Sequence, residues 1–174
     1  MSDPNAAPAE RPEGDRGRRE YPDRPWVGVG VVVWRDDRVL LIRRGRAPRL
    51  GQWALPGGAQ AVGETVFETA VREVREETGL TVVPTGVVTV VDGITRDEAG
   101  RVRFHYTLVE VAADWVAGDP ACADDALEAR WATPDEAAAL TEWDETRRVI
   151  ALSADQRSAA GRSGSPAAGA GAGR

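Results

Sequence analysis

The sequence predicts an α+β domain in which a mixed β-sheet is flanked by helices, and three observations carry that prediction. Long runs rich in Val, Leu and Ile, such as "WVGVGVVVW" and "TVVPTGVVTVVDG", have the composition and length of strands. Helix-start signals stand at Thr65 with Glu68 and at Thr133 with Pro134. Both ends of the chain are polar or small-residue stretches with almost nothing to bury, which confines the fold to the middle. With 174 residues, 42% apolar content and six tryptophans, there is material for one ordinary core. The expected organisation is a disordered tail over residues 1–24, one domain over 25–152 and a second disordered tail over 153–174.

Taken in order, residues 26–34 and 38–44 are separated by "RDD" and read as a β-hairpin. The loop "GRAPRLGQ" leads to a short strand, "WAL", which "PGG" ends. A helix is expected from Thr65 to Thr78, with Thr65 and Glu68 as a capping box and Gly79 as its left-handed stop. Phe67, Ala70, Val71 and Val74 give it an apolar face at helical spacing. Two further strands, "TVVPTGVVTVVDG" and "VRFHYTLVEVAA", are joined by the turn-like "RDEAG", and "LEARWAT" is another. Thr133 as N-cap and Pro134 at N1 open the helix "PDEAAAL", and "EWDETRRVIAL" is the last helix. Strands and helices in this alternation predict a layered mixed sheet.

Composition removes several classes of function. A net charge of −6 argues against a general nucleic-acid surface. All 22 basic residues are Arg, so no lysine serves as Schiff base or proton donor. The single cysteine, Cys122, excludes an intramolecular disulfide and a Cys-based zinc cluster, and reads as a packing or loop residue. The start "MSDPNAAPAE" lacks the apolar core of a secretion signal, and no apolar run approaches membrane-spanning length. A soluble, cytoplasmic protein with no membrane partner is expected.

The chemistry is concentrated in "REVREETGL", residues 72–80. On a helix Glu73, Glu76 and Glu77 fall within about a 100° arc, beside the apolar stripe. Each like-charge pair three or four residues apart costs ~0.2–0.5 kcal/mol when exposed and more when partly buried. Arg72 reaches Glu76 one turn on and relieves part of that repulsion. Divalent cations would neutralise the rest, and an all-carboxylate donor set favours hard ions such as Mg²⁺ or Mn²⁺. Upstream, "LPGGAQAVGE" brings glycines and a fourth carboxylate, Glu64, to the helix start. Glycines there let backbone groups approach a metal or a phosphate closely. Acids on a helix, met by a glycine loop, suit metal-assisted attack on phosphorus.

These residues resemble the Nudix box, G-x5-E-x7-R-E-U-x-E-E-x-G-U with U aliphatic. Gly58, Glu64, Arg72, Glu73, Val74, Glu76, Glu77, Gly79 and Leu80 match all nine specified positions over 23 residues. The resemblance implies a Nudix-type α/β/α sandwich around a mixed β-sheet. It also implies hydrolysis of a nucleoside diphosphate linked to a variable group X, with a small-molecule nucleotide as substrate, no nucleic-acid partner and a monomeric or homodimeric state. Glu73, Glu76 and Glu77 would ligate Mg²⁺ or Mn²⁺, with a carbonyl near Gly57 or Gly58 as a further ligand. Arg72 would hold the glutamates, one of which could accept a proton, and Glu64 would support the loop or a metal-bound water. "VLLIRRGRAPRLGQWALPGG" looks like the ADP-ribose pyrophosphatase-like branch, although Thr95 and Arg96 stand where that branch often has a proline. The rivals are a house-cleaning activity on noncanonical or oxidised nucleoside triphosphates, and a non-catalytic nucleotide sensor. Such a sensor would typically have replaced one of the three glutamates.

Outside the box, Arg43, Arg44, Arg46 and Arg49 are candidates for phosphate binding, set against a reading as solvated loop residues. Trp53 is a candidate for stacking on a base, set against a role as core or loop anchor. His105, the only histidine, lies on a strand where it alternates with Phe104 and Tyr106, so either set could face the substrate. Family members often draw an extra carboxylate from a loop before a late strand. The acidic loop "DPACADDALEARW" offers Asp119, Asp124, Asp125 and Glu128, with Asp125 the first choice for ligand or base and Glu128 the second.

Overall fold

The computed structural model describes residues 19–45, 49–121 and 126–163. Among them run ten elements: β1 (Trp26–Arg35), β2 (Arg38–Arg44), β3 (Trp53–Ala54), β4 (Gly57–Ala59), α1 (Val66–Thr78), β5 (Thr81–Arg96), β6 (Val102–Ala117), β7 (Ala126–Ala132), α2 (Pro134–Leu140) and α3 (Asp144–Ser163). The sheet has the order β3-β2-β1-β6-β5, with β4 paired to β1 and β7 to β2. It is mixed because β1 and β6 run parallel while the other pairs are antiparallel.

β1 sits at the centre and is buried on both faces, which is why it reads as a nearly continuous valine run. Val29, Val31 and Val33 pack with Ala70 and Val74 of α1. Val32 and Trp34 face the opposite way, onto Val149 and Ile150 of α3. Two cores thus lie on the two sides of one sheet, and each fully buried Leu or Ile, such as Leu40, Leu41 and Ile42, contributes about 1.5–3 kcal/mol. This is the predicted α/β/α sandwich.

The predicted caps are in place. Thr65 Oγ1 accepts from the Glu68 N–H at 3.2 Å, and Glu68 Oε2 accepts from the Thr65 N–H at 2.7 Å. Gly79 closes α1 at φ 72°, a conformation that costs other residues more. Thr133 and Glu136 form the same box at α2. On α1 the predicted apolar face is only partly the buried one: Phe67 is 45% exposed, and Thr69, Glu73 and Glu77 are buried beside Ala70 and Val74.

Both expected tail boundaries move. The C-terminal one fails at residue 153, because α3 continues to Ser163. Ser153 is buried, and its Oγ accepts from Trp34 Nε1 at 2.9 Å. Further along, Gln156 Nε2 donates to the Val88 carbonyl at 3.2 Å and Arg157 pairs with Asp114. These anchors are polar, so an absence of apolar residues did not reveal them. At the other end the Tyr21 N–H donates to the Arg103 carbonyl at 2.8 Å, and Arg103 Nε donates to Glu20 at 2.5 Å, tying residues ahead of Pro25 to β6.

Candidate active site

β4 is the element the sequence left unread, and it builds the site. "PGG" looked like a strand break, yet residues 57–59 pair with β1 in the register Gly28↔Ala59, Val29↔Gly58 and Gly30↔Gly57. The flanking bonds, Val31 N–H to Pro56 carbonyl and Gln60 N–H to Val27 carbonyl, make Gly58 and Val29 the hydrogen-bonded pair between them. Gly57 and Ala59 therefore turn their backbone groups away from β1, toward α1. The Gly57 N–H donates to Glu77 Oε2 at 2.9 Å, and the Ala59 carbonyl accepts from Arg72 Nη2 at 3.2 Å.

Gly58 contributes by lacking a side chain. A β-carbon there would meet the Glu73 carboxylate at 2.4–2.5 Å, so that carboxylate lies against the glycine α-carbon. The sequence offered a carbonyl near Gly57 or Gly58 as a further ligand. The Gly58 backbone is in the β1 ladder, while the backbone groups of Gly57 and Ala59 face the helix, and the Ala59 carbonyl meets Arg72.

Arg72 is the hub. Its Nε and Nη2 hold Glu64 at 2.5 and 2.9 Å, and its Nη1 donates to Glu73 at 2.6 Å and Glu76 at 3.0 Å. Glu64 also accepts from the Ala61 N–H and the Thr69 hydroxyl. The Arg72 guanidinium above all, helped by those two donors, holds the Glu64 carboxyl down at about 2 against the opposing effect of burial. Glu64 first, against the opposing effect of burial, and then Glu73 raise Arg72 above its ordinary value. Glu64 is thus the strut of the loop. Three carboxylates share one guanidinium, so these four residues sum to −2. Glu73 and Glu77 are buried while the Glu76 side chain is 42% exposed.

Among the described residues, no three acidic, histidine or cysteine side chains already converge as a metal cage. The guanidinium bridges the glutamates instead. The donor set still fits a hard divalent cation: oxygen donors only, excess negative charge, and a glycine against which a carboxylate closes.

On the α3 side of the sheet lies a cleft of about 330 Å³ that reaches Gly57 and Gly58. β1 alternates glycine with valine along it. Gly28 and Gly30 occupy the face that Val32 and Trp34 fill further along, and the Leu108 and Glu110 side chains of β6 lean over them at the cleft lining. Arg44, Arg49, Phe104, Tyr106 and Trp143 line it. Arg44 Nε is buried without a hydrogen-bond partner. Arg49 stacks on Trp143, 4.1 Å from the ring centroid, and burial, then the charge of Arg44, lowers its pKa. Two guanidinium groups in one cleft favour an anion between them.

The other predicted residues fall elsewhere. Arg43 points to the opposite side of β2 from Arg44, donates to the Gly51 carbonyl at 3.0 Å and lies 3.9 Å from Glu128. Trp53 packs against the α3-side core with Arg130 over its ring at 5.8 Å, and it does not line the cleft. Strand alternation gives the cleft Phe104 and Tyr106 and turns His105 away. Glu128 is likewise outside it, and Asp119 is 97% exposed beside Arg35. Arg46, Cys122, Asp124 and Asp125 lie outside the described residues. Trp143 and Glu110 were missed. Trp143 was readable only as part of a helix start, and Glu110 only as a polar residue on a strand.

An α/β/α sandwich with an arginine-clamped glutamate helix over a glycine loop defines a Nudix fold and its signature site, and the chain belongs to that family: the NUDIX domain matches residues 24–152. It is similar to the ADP-ribose pyrophosphatase of Methanocaldococcus jannaschii, 37% identical over 107 residues, which cover 62% of this chain and 61% of that relative. It is also similar to the 8-oxo-dGDP phosphatase of Homo sapiens, 38% identical over 65 residues, or 37% of this chain and 20% of that protein. The chain thus spans less than two thirds of either relative. Among solved structures, the MutT NUDIX hydrolase from Burkholderia pseudomallei superposes with a TM-score of 0.64 at 30% identity, covering 75% of this chain and 98% of that one. No described helix is long and apolar enough to cross a membrane.

Proposed function

We propose that the protein hydrolyses the phosphoanhydride bond of a nucleoside diphosphate linked to X, with ADP-ribose or a related ADP-sugar as substrate. The observation that carries this reading is the adjacency of the two sites. The loop that meets Glu73 and Glu77, Gly57–Gly58, is also the wall of a cleft that offers Arg44 and Arg49 to phosphates. The name of the Methanocaldococcus relative supports the choice of ADP-ribose.

Glu73, Glu76 and Glu77, with a backbone carbonyl of the 57–59 strand, would hold Mg²⁺ or Mn²⁺. Such an ion, when bound, polarises a phosphoryl oxygen and lowers the pKa of an attacking water. The chain's own residues do the rest. Arg72 fixes the orientation of Glu73 and Glu76, and Glu64 fixes Arg72. Arg44 and Arg49 neutralise the diphosphate and align it, which removes orientational entropy from the reaction. A box glutamate takes the proton from water, its oxygen joins one phosphorus, and the P–O–P bond breaks to give AMP and ribose 5-phosphate. Asp125 is the further candidate for ligand or base.

A substrate panel assayed with and without Mg²⁺ tests this reading. Cation-dependent release of AMP from ADP-ribose, with ¹⁸O from labelled water in one phosphate product, is the expected result. Turnover of oxidised nucleoside triphosphates in preference would favour the second reading; the human relative's name, an 8-oxo-dGDP phosphatase, supports oxidised nucleotides as a class. No cation-dependent turnover of any diphosphate would favour a nucleotide sensor.

A further inference from the structure

The cleft lining includes a buried carboxyl that the hydrolytic reading leaves without a task. Glu110 of β6 is 4% exposed, and its Oε2 is buried with no hydrogen-bond partner. Pairing dictates where it lies. Glu110 stands beside Gly30 in the parallel β1–β6 register, and a β-carbon on Gly30 would be 2.1 Å from Glu110 Oε2. The carboxyl therefore rests over the glycine, in the space a side chain would fill, and forms part of the cleft lining. Gly30 is in turn opposite Gly57, whose N–H holds Glu77, so the carboxyl is one strand away from the acid cluster's loop. A buried polar group without a partner is destabilising and uncommon in native folds. At the bottom of a cavity, a ligand can supply the missing partner.

The walls identify the ligand class. Leu55, Phe104, Tyr106, Leu108 and Trp143 surround the space. A slot with aliphatic and aromatic walls and a hydrogen-bonding group at its floor suits a planar heteroaromatic ring, whose faces meet the walls while its edge meets the floor. We propose that Glu110 reads the nucleobase, accepting a hydrogen bond from the exocyclic amino group of an adenine-type base. This rests on the nucleotide-hydrolase reading and names the part of the substrate the cleft selects. The chemistry of the group is consistent with it. Burial pushes the Glu110 carboxyl up to about 7, with Arg148 opposing and Glu145 reinforcing. Burial thus favours the uncharged acid, which has a carbonyl for the amino group and an O–H for the adjacent ring nitrogen.

Calorimetry on the full chain with adenosine 5′-monophosphate and purine riboside 5′-monophosphate, which lacks only the amino group, tests this without turnover. The wild type is expected to bind the former about tenfold more tightly or better. Glu110→Leu should bind both equally, and Glu110→Gln, whose amide carbonyl still accepts, should keep the preference. Equal wild-type affinities, binding of neither, or a preference that survives in Glu110→Leu overturns the assignment. If Glu110→Leu does not fold, equal wild-type affinities still overturn the assignment, and Glu110→Met takes the place of the leucine variant. A chain that prefers the amino-bearing nucleotide yet fails to hydrolyse ADP-ribose refutes the proposed reaction and leaves this inference standing, and the opposite pattern does the reverse.

Discussion

Arg72 uses all five of its N–H donors: two on Glu64, one each on Glu73 and Glu76, and one on the Ala59 carbonyl. Lysine has three donors on a compact charge and cannot span that set. Arg72→Lys is therefore expected to lower stability by ~1–3 kcal/mol, read by chemical denaturation, and to lower kcat as Glu73 and Glu76 lose their register. Glu76→Gln should behave differently. Its side chain is 42% exposed, so melting temperature should stay level or rise as repulsion eases, while turnover falls by ~10²-fold. A variant that keeps near wild-type rates would contradict its assignment to the cation. Gly58→Ala separates packing from charge: the new methyl would collide with the Glu73 carboxylate, and kcat should drop with every acidic residue still present. The acid cluster was legible because i, i+3 and i+4 spacing on a helix dictates proximity. Glu110 was not, because in "TLVEVAA" it alternates as an outward polar residue would. Its burial arises from Gly30, on a strand 80 positions away.

At the scale of the element, β1 shows how one strand makes both core and cleft. Alternation of Gly with Val at its start lets Leu108 and Glu110 of β6 settle onto the α3 face, and Val32 and Trp34 fill that face further along. The valines were enough to predict the strand, whereas the cleft depends on what lies across the sheet. α3 teaches the complementary lesson. Its last turns carry few apolar residues, so sequence reasoning ended the domain at Leu152, while Ser153, Gln156 and Arg157 bind the body through polar side chains. Ser153→Ala should leave the buried Trp34 Nε1 without its acceptor and cost ~1–3 kcal/mol, measured by thermal or denaturant unfolding. A variant as stable as wild type would mean that this bond contributes nothing net.

The molecule as a whole carries two carboxyls displaced in opposite directions, and their linkage shapes its pH dependence. Glu64 is held at about 2, so its contribution is present above the ordinary carboxylate value of 4.5 and is lost as pH falls from there toward 2. Glu110 is raised to about 7. The unfolded chain releases that proton near 4.5 and the folded one keeps it until about 7, so the native state binds more protons between those values and stability falls as pH rises through them. The full effect above pH 7 is on the order of a few kcal/mol. The charges acting on the group are Arg148 and Glu145, both on α3, while Arg44 of β2 and Asp92 of β5 share the cleft. Glu110→Gln removes the titration and should flatten the decline, so its melting temperature should gain on the wild type as pH goes from 5 to 8. The acid-side loss near Glu64 should be unchanged in that variant. Parallel stability curves for the two proteins across pH 5 to 8 would show that Glu110 does not titrate in this window. The cavity would then enclose an ordinary carboxylate, already charged in the native state.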